Sequence, residues 1–162
     1  MTYLSKILII CAGLALSACT DAGRFGNNDG YDPNTAAGDP TSPAYFQQTV
    51  GDRVLFVVDQ STLTAGAQST LDGQAQWLMN NTAYNAIIEG HAYEQGTREY
   101  NLALGARRAN TVHEYLVSRG VAGNRLQVVS YGKERPIEIC SEESCYAQNR
   151  RAVTVISAAP NS

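Results

Sequence analysis

The sequence predicts an α+β fold, a small mixed sheet with helices packed on it, in the order β-α-β-α-β-α-β. Short β-branched and aromatic runs recur at 53–58, 86–91, 126–131 and 152–156, each a strand by length and residue type. Between them lie segments whose apolar residues recur at helical spacing, so the sheet should be covered by helices. The chain of 162 residues is long enough for one ordinary domain plus extra sequence, and it needs no dense disulfide framework to be stable.

Each element has its own justification. Arg53-Val54-Leu55-Phe56-Val57-Val58 reads as a buried strand. Thr64 is placed to cap a helix over about 65–80, with Ala67, Leu71, Ala75 and Leu78 (or Met79) on one face and Asn80-Asn81 at its end. Ala86–His91 is the second strand. Residues 98–118 form the second long helix, with Leu102, Gly105, Ala109, Val112 and Leu116 as its inward stripe and Gly120 as the stop. Leu126–Tyr131 is the third strand. A short helix around 144–150 precedes the fourth, Ala152–Ile156.

The N-terminal region is of a different kind. Lys6 is followed by the apolar run Ile7–Leu16, too short to cross a bilayer and suited to the core of a secretory leader. It ends Leu16-Ser17-Ala18-Cys19, which resembles the bacterial lipobox; that resemblance makes 1–18 a cleaved signal peptide and Cys19 a lipidated cysteine. Thr20, where lipoproteins kept in the inner membrane commonly carry Asp, points to the outer membrane. Residues 20–49 hold no Leu, Ile, Val or Met but several Gly and Pro, so 19–49 reads as the lipidated residue and a flexible linker of about 100 Å at full extension. The domain is then 50–157, with 158–162 a frayed tail.

Composition narrows the function. A formal net charge of -3 and a pI near 5.3 argue against bulk attraction to nucleic acid. The run Glu89-Gly90-His91-Ala92-Tyr93-Glu94-Gln95-Gly96-Thr97-Arg98-Glu99-Tyr100-Asn101-Leu102-Ala103-Leu104-Gly105 continues through Arg107-Arg108-Ala109-Asn110 and Val112. It is followed by Ser130-Tyr131-Gly132-Lys133-Glu134, Pro136 and Asn149-Arg150-Arg151-Ala152-Val153. Together these resemble the OmpA-like domain family, and within it the peptidoglycan-associated lipoproteins, over about residues 51–156.

The resemblance implies an OmpA-like βαβαβ(α)β sandwich and a binding module without enzymatic activity or cofactor. Its ligand is the peptidoglycan stem peptide, held at the zwitterionic end of meso-diaminopimelate. By motif position Arg108 clamps the ligand carboxylate, and Asn101 lies two helical turns earlier on the same side. Asp59 matches the polar position bordering the pocket, and Ala92 and Tyr93 match the ligand-facing loop. The family usually has Asp at position 93 and Arg at position 95, where this chain has Tyr93 and Gln95. A phenol offers an ammonium only a neutral acceptor or a ring face, with Asp59 and Glu94 as possible compensating carboxylates.

The further partners implied are TolB, in the Tol-Pal system that supports envelope integrity and outer-membrane constriction at division, and the outer membrane itself through the lipid. The alternatives are a wall-tethering lipoprotein of the same fold without a TolB partner, and one whose peptidoglycan binding is impaired by Tyr93. A hydrolase is disfavoured because Ser61, His91, His113 and Glu94 form no recognisable nucleophile–base set. Cys140 and Cys145, spaced C-x₄-C beside Glu142 and Glu143, allow a metal half-site or a disulfide. An oxidising periplasm favours the disulfide, and neither histidine is near in sequence to complete a zinc site.

Overall fold

The computed structural model describes residues 38–158, so the leader, Cys19 and most of the linker lie outside the described residues. The chain enters through a short helix, α1 (Pro43–Tyr45), whose first turn is capped by the Ser42 hydroxyl accepting from the Tyr45 N–H at 3.0 Å. It runs on as a π-helical segment, Phe46–Gly51. Then follow β1 (Arg53–Leu55), α2 (Ala65–Asn80), β2 (Tyr84–His91), α3 (Arg98–Ser118), a 3₁₀ turn (Gly123–Arg125), β3 (Leu126–Gly132), α4 (Glu143–Asn149) and β4 (Arg151–Ala158). The predicted element order is therefore present, with strand ends shifted by one or two residues at most positions.

The sheet order is β1-β4-β2-β3. β4 pairs antiparallel with both β1 and β2, whereas β2 and β3 are parallel, joined by α3 as the crossover. Buried residues alternate along β2 at Ala86, Ile88 and Gly90, so one face of the sheet meets the helices. Across this face lie Leu71 and Leu78 of α2 and Leu104, Ala109, Val112 and Leu116 of α3. The closest approach is backbone on backbone: a Cβ on Gly90 would stand 1.9 Å from the Gly105 carbonyl oxygen. Two glycines facing each other let α3 lie directly on the centre of the sheet.

Three expectations are corrected. The domain does not begin at residue 50. Phe46 is buried against Trp77, with ring centroids 4.9 Å apart, and the Trp77 Nε1–H donates to the Pro40 carbonyl at 2.8 Å. The last third of the expected linker thus folds onto α2. A segment without Leu, Ile, Val or Met still has Phe46 to bury, with Tyr45 packed beside it, and such rings bury enough area to order the turn around them.

The first strand is also shorter than 53–58. Pairing stops at Leu55, opposite Arg151 where β4 starts, and Val57 and Val58 are exposed in a turn. Leu102, finally, is exposed while Leu104 is buried. The buried face of α3 is centred nearer Asn101 and Arg108, which leaves Leu102 about 100° round the helix from them, over the β3 edge.

Candidate functional site

At the end of the sheet where β1 and β2 finish, four segments meet: the 57–60 turn, the 92–97 loop, the first half of α3, and α4. Arg108 lies beneath them, fully buried. Its Nε–H donates to the Gln60 carbonyl at 2.9 Å, Nη1 to that of His91 at 2.8 Å, and Nη2 to that of Val57 at 3.2 Å. The guanidinium carbon sits 5.2 Å from the centroid of the Phe56 ring. Burial, then the neighbouring Arg150, push the Arg108 pKa down to about 10, so it stays cationic at neutral pH. Among the described residues no carboxylate hydrogen-bonds it. Its positive charge faces three carbonyl dipoles and the Phe56 ring, with Asp59 acting through space.

Asp59 occupies the tip of the 57–60 turn in the left-handed region, φ 55°, which Asp tolerates better than most residues. Its carboxylate accepts from the Tyr100 hydroxyl at 3.2 Å. Tyr93 forms the facing wall, its ring 5.5 Å from that of Tyr146 and 5.5 Å from the Arg150 guanidinium carbon. Burial and the nearby Asp59 raise the Tyr93 pKa, so the phenol is neutral at physiological pH.

Two expected site residues act as scaffolding. Asn101 is fully buried and donates to the carbonyls of Gln95 at 2.7 Å and Thr97 at 3.1 Å, which stitches the 92–97 loop to α3. Lys133 pins the same loop from outside through the Gly96 carbonyl at 2.8 Å. Ala92 is buried, with its N–H donated to the Gly132 carbonyl at 2.7 Å, so it anchors the base of the loop. Glu94 is directed elsewhere: its Oε1 accepts from the Asn149 side-chain amide at 2.9 Å. Of the two carboxylates the sequence offered as compensation for Tyr93, Asp59 is the one beside it.

Arg150 belongs to the site and was not expected there. Its Nε donates to the Phe56 carbonyl at 3.2 Å, its Nη2 pairs with Glu143, and its Nη1 is buried with no protein partner among the described residues. In sequence it stands inside Asn149-Arg150-Arg151, a visible signal that reads equally well as a brace for the short helix. Tyr100, Tyr146 and Glu143 carry no such signal. The outcome is a floor of two cations, with Asp59 at the rim, Glu143 paired with Arg150 and tyrosines around them, which suits a ligand bearing a carboxylate with an ammonium close by.

Cys140 and Cys145 are joined by a disulfide with Cα atoms 6.0 Å apart. Among the described residues no group of His, Cys, Asp and Glu could hold a metal ion, and no helix is long and apolar enough to cross a membrane.

Residues 55–150 match the model of the OmpA family, and this span holds every part of the site just described. The chain belongs to the OmpA family. Within it, the sequence is 52% identical over 147 residues to a peptidoglycan-associated lipoprotein of Rhizobium meliloti, covering 90% of this chain and 84% of the relative. The crystal structure of the peptidoglycan-associated lipoprotein from Burkholderia pseudomallei matches with a TM-score of 0.66 at 36% identity, over 78% of this chain and 100% of that one. The C-terminal domain of Helicobacter pylori MotB shares the fold at 20% identity, with a TM-score of 0.62 over 67% of this chain and 85% of that one. These similarities place the chain among the peptidoglycan-associated lipoproteins, a group of binding proteins and not of enzymes.

Proposed function

We propose that this protein is an outer-membrane lipoprotein that binds peptidoglycan non-covalently through the diaminopimelate stem peptide. The observation that carries the reading is the pair of buried guanidiniums beneath Tyr93 and its neighbouring tyrosines. Among the described residues Arg108 is cationic with no carboxylate hydrogen-bonded to it, and Arg150 keeps a buried Nη1 unengaged. A ligand carboxylate satisfies both, while Asp59, flanked by Tyr93 and Tyr100, receives the ammonium.

Cys19 carries the lipid that holds the domain to the outer membrane, with residues up to about 37 as tether. By family, the protein works with TolB in the Tol-Pal system during envelope constriction. Because Tyr93 supplies no charge, the affinity for stem peptide is low.

Calorimetry with a diaminopimelate-containing stem peptide tests the site. Restoring a carboxylate in Tyr93→Asp should tighten binding ten- to a hundred-fold, about the worth of one charge-assisted bond. Asp59→Asn tolerates the same backbone conformation and should weaken binding by about ten-fold. If neither substitution moves the affinity, this pocket does not hold the stem peptide. Cys19→Ser should move the protein out of the membrane fraction in cells lacking TolB, and its retention there would refute the anchor. A pull-down with purified TolB separates the Tol-Pal reading from a plain wall tether.

A further inference from the structure

Helix α4 is an improbable element on its own account. It has seven residues, about two turns, far below the length at which a helix is stable in water. Glu142 at its N-cap makes no side-chain capping bond, and Asn149 is the one residue of the helix fully buried. The strand before it ends at Gly132, and residues 134–144 are exposed throughout.

Yet α4 carries part of the binding site. Tyr146 backs the Tyr93 ring, and Glu143 pairs with Arg150. The helix must therefore be held by something besides its own propensity, and two devices do so at opposite ends. At the C-terminal end, the Asn149 side chain accepts from the N–H groups of Ile137 at 2.9 Å and Glu138 at 3.2 Å and donates to the Glu138 carbonyl at 2.8 Å. At the N-terminal end the tie is the disulfide, which runs from Cys140 in the exposed approach loop to Cys145 in the first turn.

We propose that the Cys140–Cys145 disulfide is a positioning element of the binding site, holding α4 as the wall behind Tyr93 and Arg150, so that ligand affinity depends on the disulfide being intact. The affinity part rests on the stem-peptide reading above, whereas the ordering of α4 does not. Closing a loop this short favours the ordered helix by roughly thirty-fold in the chain-entropy picture. When α4 is released, the site must order it on binding, and the affinity falls by up to that factor.

The test uses the mature protein in three forms: oxidised, Cys140→Ser/Cys145→Ser, and that double variant with Glu142→Ser added to supply the missing cap. A fourth sample is the parent reduced by a dithiol; its S–S bond breaks to two thiols, with two electrons and two protons taken from the reductant as it closes to its own disulfide. Hydrogen exchange by mass spectrometry and calorimetry with stem peptide are measured well below the melting temperature. The double variant and the reduced parent should lose protection across 143–149 while β2 stays protected, and should bind about thirty-fold more weakly. Glu142→Ser should recover roughly five-fold of that, the worth of one cap.

A lower melting temperature with unchanged protection of α4 overturns the proposal, because the disulfide is then only a staple on the whole domain. Loss of α4 protection with unchanged affinity overturns it too, since α4 is then no wall of the site. If the oxidised protein binds no stem peptide, the ligand assignment fails, and the exchange data alone decide whether the disulfide positions α4.

Discussion

Arg108→Ala should cost a large share of the domain's stability, apart from any effect on ligand binding. Arg108 closes three carbonyls at once, those of Val57, Gln60 and His91, and so ties the β1 turn to the end of β2. The Val57 and Gln60 carbonyls lie where water can replace the lost donor, at about 1 kcal/mol each. The bond to His91 is buried, and an orphaned carbonyl there costs about 2 kcal/mol. The emptied volume beside Phe56 adds about 1 kcal/mol. Relief from burying a cation, visible in a pKa pushed down to about 10, returns about 2 kcal/mol.

The net loss is about 3 kcal/mol, a large share of a typical domain's stability. Urea denaturation of the mature protein, with Arg108→Lys alongside, measures it. Lysine keeps the charge but cannot span three carbonyls, so it should lose about 2 kcal/mol. If Arg108→Ala lies within about 0.5 kcal/mol of the parent, the arginine does not brace the turn and the reasoning is wrong. Binding by the alanine variant is then to be read only under conditions where it is folded.

Gly90→Ala should cost on the order of 3 kcal/mol or more, because its Cβ meets the Gly105 carbonyl carbon at 2.7 Å and backbone cannot step aside; thermal unfolding checks it. Phe46→Ala should cost about 3 kcal/mol by emptying the contact with Trp77, and a value near zero in denaturant titration would return 38–49 to the linker. The His91 pKa is pushed down to about 4, first by burial and then by Arg151 and Arg135. Its neutral form thus contributes stability that is present above pH 6.5 and lost as pH falls from there to 4. His91→Phe should flatten that part of the pH–stability profile by about 2 kcal/mol, and parallel profiles would refute it.

What was legible in advance was local. Capping by Thr64, the stop at Gly120 and the stripe Ala67–Leu71–Ala75–Leu78 depend on neighbours one to four residues away, and all appear in the structure. The end of β1 was not legible, because it depends on where β4 begins, almost a hundred residues later. Leu102 was misplaced for a related reason. Its stripe is a valid apolar pattern, but two polar residues, Asn101 and Arg108, find enough buried carbonyls to turn the helix toward themselves.

The sequence by itself determined the order of elements, written in short-range spacing and residue type, and the family, written in the motifs it shares with OmpA-like domains; the expectation that Arg108, Asp59 and Tyr93 line the site came with that resemblance. Only the tertiary structure decided what those residues touch. It directs Glu94 to Asn149 and away from the site, makes Asn101 a stitch for a loop, and brings Arg150 beneath Tyr93. Chain spacing fixes a side chain's direction from its own backbone; its partners come from segments tens of residues away, and only packing against the sheet selects among them.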